Sequence, residues 1–285
     1  MTTTAAPRGS GESRRPRSQL LIRTVSGLLI LAVVVALVAL GRPGLWLLAA
    51  LLGGLSLWEF HRLSGLIGHQ TPLWLLYPLA AYFALSGTVL KPVPVLAVLA
   101  FALVAGLTAL LFLPPRRDGL GRWAFALAGA LYVGLPFNYY LQLYEAHAGF
   151  IGQLWLVAVI STVVVSDSAA YLIGRAFGRH PFFPAISPKK TWEGAIAGVV
   201  FCAPVMGLAA ALLLHIGPWH GIALGLLVGL SAEFGDLVES QLKRLAGVKD
   251  SSQLIPGHGG LLDRLDSIFF PPIVVYLYLQ AQGLL

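Results

Sequence analysis

The chain has 285 residues, 57% of them hydrophobic and only 11% charged, with a net charge of +7 and a mean hydropathy of +0.80. That balance lies far outside soluble globular composition, and apolar runs near the roughly 20 residues that span a bilayer recur along it, so a soluble domain is excluded and a polytopic membrane protein is expected. The positive charge then belongs to loops facing the cytoplasm and anionic headgroups and implies no nucleic-acid partner, while the single cysteine, Cys202, excludes a disulfide framework and a cysteine zinc site.

Residues 1–19 are polar and rich in Arg, Ser, Thr and Pro, a composition that predicts a disordered basic tail. Arg14, Arg15 and Arg17 resemble a signal-peptide n-region, but the apolar run from Leu20 to Leu40 is too long for an h-region and reads as a first span. Further spans are expected near 44–60, 73–89, 94–113, 123–143, 152–174, 194–215, 219–238 and 267–284. With the N-terminus inside, only Arg42 and Lys91 of the 19 Lys and Arg fall in outside loops. The positive-inside rule therefore favours about nine transmembrane helices with the N-terminus cytoplasmic. The expected organisation is the tail 1–19, N-terminal helices over 20–120 and a catalytic region over 121–285. Gly194-xxx-Gly198 and Gly225-xxx-Gly229 are spacings that let helix backbones approach closely, so they predict packing. Glu59-Phe60-His61-Arg62, at the inner end of the second span, reads as interfacial anchoring.

Chemistry concentrates in three clusters on the cytoplasmic side of the C-terminal half. Asp167 lies inside the sixth span, flanked by Ser166 and Ser168. A carboxylate there is costly unless it is paired, metal-bound or facing a wet cavity, so it is either functional or a structural partner of Arg175 or another cation. Ser187-Pro188-Lys189-Lys190-Thr191-Trp192-Glu193-Gly194 combines a helix breaker with two lysines. Those lysines serve equally as topology markers or as phosphate ligands. In the third cluster Asp236, Ser240 and Lys243 share one helical face, with Arg244 beside it. Lys249 follows, and then the turn Pro256-Gly257-His258-Gly259-Gly260, whose backbone N–H groups are expected to form an anion-binding nest. Asp263 and Asp266 come next at helical spacing, so Asp236, Asp263 and Asp266 are expected to converge on Mg²⁺, with the basic residues neutralising phosphates. His258 is either a phosphate donor or a turn residue.

The stretch Ser240-x-Leu-Lys-Arg244, Lys249-Asp250 and His258-Gly-Gly-x-x-Asp263-Arg-x-Asp266 resembles the signature of the phosphatidate cytidylyltransferases, or CDP-diacylglycerol synthases. Asp167-Ser-Ala-Ala-Tyr171 with Gly174-Arg175, and Ser187 to Gly194, resemble further motifs of that family, the similarity covering about residues 130–272. Ala169 and Ser252 stand where the family has glycine. The resemblance implies an all-α membrane enzyme of the bacterial-type cytoplasmic membrane. It would transfer the cytidylyl group of CTP to phosphatidate with Mg²⁺ and release pyrophosphate, in a bilayer and with a homodimer admitted. On that reading Asp236, Asp263, Asp266, Lys243, Arg264 and Asp167 are catalytic. Lys189, Lys190, Ser240, Arg244, Lys249, His258, Gly259 and Gly260 bind substrate, and the three aspartates 236, 263 and 266 hold the metal. The rival readings are a membrane CTP-dependent lipid kinase and an ion-coupled transporter using Asp167 and Glu59.

Overall fold

The computed structural model describes residues 16–91, 93–112, 118–147, 149–255 and 257–285, with side chains from residue 24 onward. Residues 1–15 of the expected tail, and residues 113–117, lie outside the described residues, while residues 16–19 of that tail belong to α1 and are helical. Ten helices run in the order α1 (Pro16–Ala39), α2 (Arg42–Ile67), α3 (Leu73–Leu85), α4 (Val95–Leu111), α5 (Gly119–Ala146), α6 (Phe150–Phe177), α7 (Trp192–Leu212), α8 (Pro218–Leu245), α9 (Leu262–Phe269) and α10 (Pro271–Ala281), and the described residues contain no strand. Two isolated β-bridges, Pro181 with Thr191 and Ile255 with Gly259, pinch the loops before α7 and α9.

Five helices, α2, α5, α6, α7 and α8, are long and apolar enough to cross a membrane; the Thr24–Ala39 part of α1, α3 and α4 are apolar but shorter. The expected span over 267–284 is not one helix. Its first residues belong to α9, and the chain breaks at Phe270 before Pro271 and Pro272, which carry no N–H to continue the ladder. The expected end of the eighth span near 238 is also exceeded, because α8 runs on to Leu245 and carries the polar residues of the signature on unbroken helix. The chain is thus an all-α integral membrane protein. Apolar side chains such as Phe101, Leu111 and Trp219 are exposed on its outside, as lipid contact requires.

Two large apolar clusters hold the helices, and a small third one joins Phe182, Ala195 and Leu237. One gathers Leu143, Trp155, Val159, Met206, Leu224 and Val275 from α5, α6, α7, α8 and α10. The other gathers Leu57, Leu76, Phe83, Val133, Leu262 and Phe269 from α2, α3, α5 and α9. α5 contributes to both, and both it and α2 pack directly against the short helix that carries Asp263 and Asp266.

Because lipid tails are as apolar as leucine, burial alone does little to drive helices together in a bilayer; close backbone approach does more. A Cβ at Gly194 would lie 2.6 Å from the Ala170 carbonyl oxygen, and one at Gly198 would lie 3.1 Å from that of Ser166, so α7 is seated on α6. Gly221, Gly225 and Gly229 do the same for α8 on α7, their Cβ positions lying 2.7 Å from the Met206 oxygen, 2.3 Å from the Cys202 oxygen and 2.8 Å from the Val199 Cα. The packing role read from both glycine spacings is borne out, and it draws together the three helices that carry the polar clusters. Gly225→Ala should lower stability by about 1–3 kcal/mol through overpacking. The thermal midpoint of the detergent-solubilised protein checks this, and an unchanged midpoint would show that α7 and α8 have room to spare.

Candidate active site

α6, α7 and α8, with the loop before α7, enclose a cavity of about 440 Å³. Asp167, Tyr171 and Arg175 line it from α6, Lys189, Lys190 and Thr191 from the loop, and Glu233 and Asp236 from α8. The loop is shaped by the Phe182 N–H to the Lys190 carbonyl (2.8 Å) and the Trp192 N–H to that of His180 (2.9 Å). Thr191 then caps α7, its hydroxyl accepting the Gly194 N–H at 3.2 Å. This turn aims Lys190 inward. Its ammonium meets Glu233 Oε2 at 2.6 Å and Asp236 Oδ2 at 2.9 Å. Burial opposes the charge on Lys190, but Asp236 and Glu233 outweigh it and raise its pKa above the ordinary lysine value.

The expected face of α8 is present. Ser240 donates to Asp236 Oδ1 at 3.1 Å, and Lys243 projects one turn further on to form an ion pair with buried Glu239. Lys243 also reaches Asp263 Oδ1 at 2.8 Å. Asp263 takes, in addition, the Gly260 N–H at 2.9 Å and the Ser251 N–H at 3.0 Å on Oδ2. The Lys243 ammonium and the backbone donors thus together hold its carboxylate in place. Asp266 is turned elsewhere, Oδ1 accepting the Ser267 N–H at 2.7 Å. Asp167 itself accepts from the Ser267 hydroxyl at 3.1 Å. Arg175 lies out at the rim and donates to the Tyr171 hydroxyl at 3.1 Å, so it is not the partner of Asp167.

The structure therefore divides the three expected metal ligands. Asp167, Asp236 and Asp266 feel one another's charge, whereas Asp263 is committed to Lys243 and the glycine turn. Among the described residues no group of three or more His, Cys, Asp or Glu side chains forms a metal cage. A partial set is what Mg²⁺ uses, since it takes one or two carboxylates and completes its shell with water and substrate phosphates. The surplus of Asp167, Glu233 and Asp236 over Lys190, the cation set among them, fits such an ion.

Other expected contacts are arranged differently. The His258 and Gly259 N–H groups both donate to the Ile255 carbonyl, at 2.9 Å and 3.2 Å, and the Gly260 N–H goes to Asp263, so these donors turn inward and form no open nest. The tight turn demands this, and it holds Gly259 at φ +88°, a left-handed conformation that favours glycine. The Arg264 guanidinium closes the turn by donating to the His258 carbonyl at 2.5 and 3.1 Å. His258 Nδ1 lies 3.1 Å from the Ser26 hydroxyl on α1. Arg244 ties the end of α8 to the other loop through the Ile186 carbonyl at 3.0 Å. Lys189 and Lys249 are exposed and form no ion pair among the described residues. Sequence reasoning missed Ser267, which carries no motif of its own, and the buried carboxylate of Glu59 at the foot of the glycine turn.

These placements separate the lysines by consequence. Lys243→Met would leave Glu239 and Asp263 as buried carboxylates without their cation, which should cost about 3–5 kcal/mol of stability. Lys189→Ala removes no ion pair and should leave stability unchanged. Denaturation of the two purified variants side by side checks this, and equal midpoints would contradict the pairing.

A family profile described as the cytidylyltransferase family matches residues 21–282. The chain is 43% identical over 128 residues to a phosphatidate cytidylyltransferase of Mycobacterium bovis, an overlap covering 45% of this chain and 42% of that protein. It is 40% identical over 184 residues to the chloroplastic phosphatidate cytidylyltransferase 5 of Arabidopsis thaliana, covering 62% of this chain and 40% of the relative. It is 38% identical over 161 residues to a phosphatidate cytidylyltransferase of Staphylococcus aureus (strain COL), covering 55% and 60%. The chain thus spans between 40% and 60% of the length of these three relatives. With the profile running over nearly all of α1 to α10, the chain belongs to the cytidylyltransferase family.

Proposed function

We propose that the protein is a phosphatidate cytidylyltransferase, transferring the cytidylyl group of CTP to phosphatidate to give CDP-diacylglycerol and pyrophosphate. What carries the reading is the cavity between α6, α7 and α8. Its rim bears the cations Arg175 and Lys189, its depth Asp167 and the carboxylates of Glu233 and Asp236, these two bridged by Lys190. A phosphatidate oxygen attacks the α-phosphorus of CTP, the bond from that phosphorus to the β-phosphate bridging oxygen breaks, and pyrophosphate leaves with the electron pair. The attacking oxygen is already anionic, so no nucleophile of the Ser-His-Asp kind is needed. The work is positioning and charge neutralisation.

In this reading Arg175, Lys189 and Lys190 receive phosphates at the rim, and Lys249 is free to attract CTP from solvent. Asp236 and Asp266, with Asp167 beside them, would hold Mg²⁺, which would supply charge withdrawal from the triphosphate. Asp263, Lys243, Arg244 and Arg264 keep the two loops in place around it. Sideways entry of a lipid suits a cavity walled by membrane helices.

The end bearing both loops faces the cytoplasm of a bacterial-type inner membrane, since the lysines and arginines gather there. The shorter helices α1, α3 and α4, and α9 with α10, add to the five long ones to make nine crossings. Lys249→Cys should then resist a membrane-impermeant thiol reagent applied outside intact cells and react after permeabilisation; prompt labelling from outside would reverse the orientation.

Purified protein given α-labelled CTP, phosphatidate and Mg²⁺ should yield labelled lipid and pyrophosphate, and chelation should stop the reaction. CDP as product would instead mean a kinase. Asp236→Asn and Asp167→Asn keep size and most hydrogen bonds while removing charge. Both should form monodisperse particles with turnover reduced by at least about a hundredfold, roughly the 2.7 kcal/mol or more of one charged contact to the transition state. Either variant retaining most of its activity would remove that residue from the site.

A further inference from the structure

Glu59 stands on α2, some 190 positions before the residues it binds, and is wholly buried. Its Oε1 accepts the Leu261 N–H at 2.9 Å and the Ser252 hydroxyl. Its Oε2 accepts the Leu262 N–H at 2.5 Å and lies 3.2 Å from the Ser251 hydroxyl. The two backbone donors lie at the start of α9, where helical N–H groups have no intrahelical partner and the helix dipole favours a negative charge. One turn along α2, the Arg62 guanidinium donates to the Ser251 carbonyl at 3.1 Å. Both ends of the turn that carries His258, Gly259 and Gly260 are therefore fastened to one helix of the N-terminal half. Gly260 has no room for a side chain there, because its Cβ would lie 1.8 Å from Ser251 Oγ and 2.8 Å from Glu59 Oε1. Ser251 passes the constraint on, since its N–H also holds Asp263, which holds Lys243.

We propose that Glu59, seconded by Arg62, is a positioning residue for the transfer reaction: it acts as a cap for α9 supplied from another helix and fixes the Ser251–Leu262 turn, so that Asp263, Lys243 and Asp266 are set before substrate arrives. The proposal rests on the activity argued above. It gives the N-terminal half a part in the chemistry that anchoring alone would not.

The test compares full-length wild type, Glu59→Gln, Glu59→Asp and Ser252→Ala by thermal midpoint, backbone amide exchange and steady-state kinetics with CTP and phosphatidate. Glutamine matches the shape but turns an amide NH₂ toward donors. It should speed exchange across residues 250–262 while leaving α6, α7 and α8 protected. It should also lower kcat by about ten- to a hundredfold, as for one lost charged hydrogen bond, with KM for either substrate moving less than about threefold. Glu59→Asp keeps the charge and should recover part of the loss. Ser252→Ala removes one donor and should show the same pattern more weakly, so the proposal stays testable if the glutamine variant does not assemble. Wild-type exchange and kcat in these variants would overturn it. So would a kcat loss accompanied by faster exchange throughout the protein, which would mark Glu59 as fold support only. If wild type transfers no cytidylyl group, the functional reading fails separately, and localised exchange at residues 250–262 still decides whether Glu59 holds the turn.

Discussion

An ionised side chain surrounded by apolar helices is tolerated only where cations or hydrogen-bond donors surround it, and around the cavity this constraint fixes nearly every polar contact. Three solutions sit side by side. Lys190 is shared between Glu233 and Asp236, Lys243 between Glu239 and Asp263, and Glu59 is met by two backbone N–H groups and the hydroxyls of Ser251 and Ser252. The first closes the loop before α7 onto α8, the second closes α9 onto α8, and the third closes the turn before α9 onto α2. Each pairing thus doubles as a tertiary tether. Where pairing falls short of charge, with one Lys190 among Asp167, Glu233 and Asp236, negative charge is left in surplus at the cavity.

Those pairings depend on distances that side chains alone do not set. Asp167 and Asp236 lie on α6 and α8, with α7 packed against both, and the glycines of α7 and α8 bring the three backbones into contact. A single Cβ at Gly225 would force α8 away from the Cys202 carbonyl and widen the gap that Lys190 bridges from the loop to Glu233 and Asp236. Small residues therefore act on the chemistry by way of geometry, although none touches the cavity except Ala170, Gly174, Gly194 and Ala195.

Much of this was legible in the sequence because it is periodic or local. The face shared by Asp236, Ser240 and Lys243 follows from 3.6 residues per turn, and the Ser240–Asp236 hydrogen bond realises it. The glycine spacings, the turn at Gly257 to Gly260 and the costliness of Asp167 within a span are likewise properties of short windows. What was not legible is long-range. Nothing near Glu59 distinguishes an interfacial glutamate from one that caps a helix about 200 residues later, and Asp263 and Asp266 at helical spacing look alike until Lys243 claims one of them. The nest failed for a related reason: glycines announce a turn, but whether its N–H groups face solvent depends on acceptors such as Ile255 and Asp263. The break at Pro271-Pro272 did carry a local signal, and the apolar run after it outweighed that signal in the hydropathy reading.

The pairing scheme also bears on how such a site handles a highly charged substrate. A bare cluster of cations facing lipid would repel itself and bind headgroup phosphates indiscriminately, since Coulomb attraction at short range in a poorly screened setting is strong and unselective. Here the inward cations Lys190 and Lys243 are already neutralised by carboxylates, whereas Arg175 and Lys189, which line the cavity, form no ion pair among the described residues. In the proposed reaction a phosphate gains Lys190 only as Glu233 and Asp236 release it, and Asp236 in turn becomes free for a divalent ion. Exchange of partners keeps the local charge nearly constant through binding, and it favours a ligand that arrives with both anion and metal over a lone anionic lipid. The same carboxylates that make the empty cavity stable would then make its occupancy selective.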